Sequence, residues 1–95
     1  MIKSFSHKGL EAFFLYGSTK GIQATHSNRI GIILDRLNAS EYAEDMNLPG
    51  LRFHKYKGQK KNEREKYSVD VSGNWRIVFE FENGNVYIVD YIDPH

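Results

Sequence analysis

His54, Arg76, Asp93 and His95, with Lys57 close to the first of them, are the residues whose types suit proton transfer beside a phosphate. An imidazole titrates near ~6.5, so a His gives or takes a proton at physiological pH. Lys and Arg clamp phosphate oxygens, Arg through a bidentate fork. Cleaving RNA without a metal needs a base for the 2′-OH proton and an acid for the departing 5′-oxygen. It also needs cations around the phosphate as negative charge builds. These residues contain that set. Two His and one Asp could also ligate a metal. No tight spacing such as H-x-x-x-H occurs, which ranks the metal-free chemistry first and implies no cofactor.

Each residue also has a plainer reading. A single surface His is most often only solvated, and His7 and His26 take that reading. Between Arg52 and Lys66, the residues Arg52, Lys55, Lys57, Lys60, Lys61, Arg64 and Lys66 are opposed only by Glu63 and Glu65. Such a charge run is usually just a solvated loop. An Arg on a strand often pairs with a nearby carboxylate, here Glu80 or a cross-strand partner. Asp93-Pro94-His95 could be a frayed tail. Convergence on one surface is what favours chemistry, so the elements that position these residues decide the matter.

The chain opens with a possible short strand, Ile2 to Phe5. Ser6 can then cap a helix from about His7 to Tyr16, with Leu10, Phe13 and Phe14 on one face and Gly17 as the stop. From about Thr25, Ile30, Ile33, Leu34 and Leu37 recur at the spacing of one buried helical stripe. Arg29, Asp35, Arg36 and Asn38 point away from it. A further helical turn runs through Glu41 to Met46, and Leu48-Pro49-Gly50 breaks the helix.

After Pro49 the period changes to two. Leu51 and Phe53 alternate with Arg52 and His54; Tyr67, Val69 and Val71 alternate with Ser68 and Asp70. Ser72-Gly73-Asn74 is a turn. Trp75, Ile77, Phe79 and Phe81 alternate with Arg76, Val78, Glu80 and Glu82. Asn83-Gly84 signals a type I′ hairpin, because both central residues of that turn need positive φ. Helices first and an antiparallel meander after them make an α+β domain, its N-terminal helices on one face of a mainly antiparallel twisted sheet. The other face is expected to be at least partly open to water.

Side chains alternate across a strand. If Phe53 and the Trp75–Phe81 set face the helices, His54 and Arg76 face the open side. If Val86, Ile88 and Ile92 are core on the last strand, Tyr91, Asp93 and His95 join them. Both alternating sets of that strand contain apolar residues, so pattern alone does not fix its facing.

Composition bounds the rest. Ninety-five residues with 40% hydrophobic and 14% aromatic content suffice for one domain, 1–95, and one core. The absence of cysteine excludes disulfides, thiolate metal sites and a cysteine nucleophile. No signal peptide or membrane-length apolar run is visible, so the expected location is the cytoplasm, without membrane contact. Net charge is only +1, with a basic middle and an acidic remainder.

The chain resembles HigB-type toxins of the RelE superfamily. The resemblance is carried by Met1 to Leu10 (MIKSF-x-HKGL) and by Leu51 to Gly58 (LRFHKYKG, with Tyr56 at an apolar position). It continues through Tyr67 to Ile77, whose Asn74-Trp75-Arg76-Ile77 is the most specific piece, and through the tail Asp90 to His95. It implies a RelE-like fold and ribosome-dependent endoribonuclease activity that cleaves messenger RNA in the ribosomal A site. It also implies neutralisation by a HigA-like helix-turn-helix antitoxin, with operator DNA met only through that antitoxin.

Carried over by position, His54, Lys57, Arg76, Asp93 and His95 are catalytic. Arg76 would hold the scissile phosphate, helped by Lys57. His54, Asp93 and His95 would share the proton transfers, with acid and base left open. Arg52, Lys55, Lys60, Lys61 and Arg64 would contact RNA. The family's Tyr before the terminal His is Pro94 here, so its role is lost or passes to Tyr91. The stretch Gly58 to Tyr67 is also longer and richer in Lys than the family pattern.

Two other classes compete. A ParE-like toxin would use the same fold to inhibit DNA gyrase without nuclease chemistry, and the set of His54, Arg76 and His95 argues against it. A non-catalytic domain that binds RNA or a partner is kept open by Pro94.

Overall fold

A computed structural model describes residues 1–56 and 64–94. Helix α1 spans Lys8–Tyr16 and ends on Gly17, whose φ of 75° lets its N–H reach the Phe13 carbonyl at 2.9 Å. The N-cap is His7 rather than the expected Ser6: its Nδ1 accepts from the Leu10 N–H at 3.0 Å. A ring nitrogen replaces the usual short oxygen and meets the same orphan donor. A 3₁₀ turn, Ala24–His26, leads into α2, Ser27–Ala39. The stripe Ile30, Ile33, Leu34 and Leu37 is buried as the spacing requires. The expected turn after it is a 3₁₀ segment, Ala43–Met46, whose Asp45 carboxylate accepts from the Glu41 and Tyr42 N–H groups.

Strands β1 (His54–Lys55), β2 (Glu65–Ser72), β3 (Trp75–Glu82) and β4 (Asn85–Ile92) form one antiparallel sheet in the order β1-β2-β3-β4. Asn83 and Gly84 take φ of 52° and 79°, as the β3–β4 turn demands. The opening segment does lie against the sheet, parallel to β4, through bridges of Ile2 with Val86 and Phe5 with Val89. The core is one cluster that joins Leu10, Ile33 and Leu37 of the helices to Val69, Ile77 and Phe79 of the sheet. Phe53 packs against it, stacked 5.3 Å from Tyr67. The α+β architecture and the facing of β2 and β3 are therefore as the sequence implies.

The last strand is not. Val78 pairs with Asp90 but Glu80 pairs with Tyr87, so Ile88 and Val89 together face Phe79. Ile88 is the extra residue: its φ is +52° and its side chain is exposed. One inserted residue reverses every later side chain. Val86 stays in the core as expected, and Val89 and Tyr91 follow it there, while Ile92 lies opposite Arg76 on the other face. The alternation Val86, Ile88, Ile92 as one buried set is thereby corrected.

Candidate active site

Arg76 and His54 do share the face away from the helices. His54 pairs across the sheet with Ser68, and Arg76 with Asp70. His54 and Arg76, together with Lys55 and Tyr56, line a cavity of about 380 Å³. The face is not open throughout, since Ser68 and Val78 at its centre are buried.

The His54 ring is fixed from behind. Its Nδ1 lies 2.7 Å from the Arg52 carbonyl oxygen. A carbonyl only accepts, so Nδ1 carries the proton and Nε2 is the nitrogen free to exchange one. Arg52 itself sits at φ 49°, a left-handed conformation that costs a non-glycine residue about 1 kcal/mol or more. The local turn thus brings that carbonyl to His54 at a cost in strain.

Arg76 is held on its Nε edge by an ion pair in place of a hydrogen bond. Its side chain is 32% exposed, and Nε lies 3.9 Å from Asp70 Oδ1, an ion pair too long for a hydrogen bond. That Nε is buried and has no acceptor among the described residues. The expected alternative partner, Glu80, is instead taken by Arg64 at 3.2 Å, whose guanidinium also lies 3.8 Å over the Tyr87 ring. Arg64 is therefore engaged on the sheet surface. Lys55 pairs with Glu65 at 3.3 Å, and Arg52 with Asp70 at 3.6 Å.

Asp93 follows Ile92, the cross-strand partner of Arg76. It does not line the cavity with His54, and its charge is felt by the Tyr91 hydroxyl. The premise that would have set Tyr91 and Asp93 on the open face fails with the bulge at Ile88. Lys57, Lys60, Lys61 and His95 lie outside the described residues.

Tyr91 is a correction of substance. It is 4% exposed, stacked on Trp75 at 4.5 Å, with its hydroxyl 2.6 Å from His26 Nδ1. A ring enclosed on this scale offers no face on which a base could stack. Burial pushes its phenol above the ordinary value; the backbone at Gln23 pulls it down, and the Asp93 charge adds to the rise. His26 is likewise buried rather than solvated. Trp75 is half-buried and Ile77 fully buried, so the strand does hold Arg76 between fixed neighbours.

Asp70 stands in the sequence only as the polar member of an alternating strand, and its place opposite Arg76 comes from the register of β2 with β3. A larger cavity of about 480 Å³ is lined by Glu41, Glu44 and Glu82 with Tyr42 and Phe81. Its carboxylates repel phosphate, and it contains none of the residues singled out for chemistry. Among the described residues no cluster of three His, Asp or Glu side chains suits a metal ion. No described helix is long and apolar enough to cross a membrane.

The comparison with known proteins agrees with the fold. A family model described as the RelE-like toxin of type II toxin–antitoxin system HigB matches residues 3–95. Endoribonuclease HigB of Proteus vulgaris is 41% identical over 96 residues, which cover all of both chains. The resemblance carried by the opening, central and terminal motifs is borne out: the chain belongs to the HigB-like family of RelE-like toxins from type II toxin–antitoxin systems.

Proposed function

We propose that this toxin is a ribosome-dependent endoribonuclease that cuts messenger RNA in the ribosomal A site by metal-free acid–base chemistry, and so blocks translation. The observation that carries the reading is Arg76, whose buried Nε lacks a hydrogen-bond acceptor among the described residues and which lines a cavity shared with His54. A preorganised cation of this kind suits a phosphate on which charge develops. The 2′-oxygen attacks phosphorus as its proton passes to a base. The bond to the 5′-oxygen breaks, and that oxygen takes a proton from an acid. His54 exchanges its proton at Nε2; Asp93 and His95 are the other proton carriers, and Lys57 supports Arg76 at the phosphate. Net charge of +1 gives little global field to grip a polyanion, which supports docking on a ribosome over capture of free RNA.

A type II toxin has an antitoxin partner. The reading takes that partner to be a HigA-like helix-turn-helix protein, through which alone operator DNA is met. The test is pulse labelling after induction, beside cleavage of a defined messenger with and without ribosomes. Protein synthesis is expected to stop first, with cleavage only on ribosomes. Early arrest of DNA synthesis with translation intact would replace this reading with gyrase inhibition. Fast cutting of naked RNA would remove the ribosome from it.

A further inference from the structure

We propose that Asp70 is a positioning residue for Arg76, holding the guanidinium by its Nε edge so that its terminal nitrogens face the phosphate; this rests on the reading of Arg76 given above. Asp70 and Arg76 are cross-strand partners on β2 and β3. The Asp70 carboxylate is only 16% exposed and lies between two guanidinium groups. Oδ1 is 3.9 Å from Arg76 Nε, and Oδ2 is 3.6 Å from Nη1 of Arg52. Arg76 Nε has no hydrogen-bond acceptor among the described residues, and the Asp70 carboxylate is the charge that lies against this edge of its head group.

The backbone around Asp70 is built to hold it. Its N–H donates to the Leu51 carbonyl at 2.7 Å, and its own carbonyl accepts from Arg29 Nε at 3.4 Å. The register breaks immediately after it: Asp70 pairs with Arg76 and Ser72 with Trp75, leaving Val71 as the extra residue of a bulge. A bulge of this kind increases local twist and re-aims neighbouring side chains. At 3.9 Å the pair is too long to add much stability. Its consequence is orientation.

A carboxylate this close also repels an incoming phosphate, which separates the outcomes. A positioning role lowers the rate at saturation without weakening binding. A merely structural role lowers both together with the melting temperature. A merely repulsive carboxylate makes every variant that removes it a faster enzyme.

The experiment is single-turnover cleavage of a messenger on programmed ribosomes, for the wild type, Asp70→Asn, Asp70→Glu and Arg76→Ala, beside their melting temperatures. Asp70→Asn is expected to lower the saturating rate by roughly tenfold or more, with half-saturation unchanged or at lower concentration. Asp70→Glu, which keeps the charge at a longer reach, is expected to recover part of that loss. ¹⁵N relaxation of the Arg76 Nε–H in the free protein gives a reading independent of activity: ordered in the wild type, mobile in Asp70→Asn. Wild-type saturating rate in a folded Asp70→Asn, or an Arg76 Nε–H as ordered as before, overturns the proposal. If Arg76→Ala cleaves poorly while Asp70→Asn is wild type, only the positioning role falls. If Arg76→Ala also cleaves as wild type, the site itself is misplaced and both readings fall.

Discussion

The Tyr91 hydroxyl lies 2.6 Å from Nδ1 of His26, with both side chains in the core. The pair ties the turn before α2 to the end of β4, two residues short of Asp93. Tyr91→Phe keeps the ring on Trp75 but leaves the imidazole nitrogen unpaired in a buried place. The expected cost is about 1–3 kcal/mol in urea unfolding. Cleavage by the folded variant should stay near wild type, since the buried ring is closed to RNA. A loss of rate in a variant of unchanged stability would contradict the core assignment.

Burial raises the Tyr91 phenol above 10.0, against the pull of the backbone at Gln23 and with the aid of Asp93. The sign follows from linkage. The folded state keeps its proton to higher pH than the unfolded state does. The stability this contributes is therefore full below about pH 10 and lost as pH rises through the folded value. Tyr67 shifts the same way, chiefly by burial and then by the charges of Glu65 and Glu44. Melting curves of wild type and Tyr91→Phe should differ by a constant amount below about pH 9 and converge at more alkaline pH. Divergence with rising pH would reverse the sign.

Arg64 is expected to behave as a surface brace. It pairs with Glu80 and lies over Tyr87. About a third of its side chain is exposed, so solvent screens the pair. Arg64→Ala should cost roughly 0.5–1 kcal/mol. Its effect on cleavage, measured on ribosomes, should be far smaller than that of Arg76→Ala; an equal effect would place Arg64 at the RNA.

Ile88 carries a β-branched side chain at φ +52°. That conformation costs about 1–2 kcal/mol and is free to glycine. Its exposed side chain contributes little packing, and the bond from its N–H to Ser4 Oγ belongs to the backbone. Ile88→Gly should therefore be neutral or stabilising by up to about 1 kcal/mol, read from the denaturation midpoint. Marked destabilisation would mean that the side chain packs after all.

Much of the fold was legible because periodicity survives where one face of an element is buried. The α2 stripe, the β3 alternation and the Asn83-Gly84 turn each state their structure locally. The bulge at Ile88 does not. In Val86 to Ile92 both alternating sets contain apolar residues, so no one-residue slip is visible in the pattern, and that slip moved Tyr91 into the core. His54 and Arg76 could be brought to one face because β1 and β3 obey simple alternation. The place of Asp70 opposite Arg76 depends on cross-strand register, which no local pattern encodes. The His26–Tyr91 bond spans 65 positions and is equally silent in sequence.

The central claim is that Arg76 is the phosphate clamp of a nuclease site. A preorganised cation at the developing charge contributes on the order of 3–4 kcal/mol, so Arg76→Ala should cut cleavage roughly a hundredfold or more. Arg76→Lys keeps the charge but loses the fork, and should recover only part. Its long ion pair to Asp70 contributes little to folding, so both variants should melt close to wild type. The decisive measurement is the single-turnover rate of messenger cleavage on ribosomes for wild type, Arg76→Ala and Arg76→Lys at matched melting temperature. The account expects a fall of about a hundredfold for Ala with partial rescue by Lys; a folded Arg76→Ala protein that cleaves at the wild-type rate would contradict it.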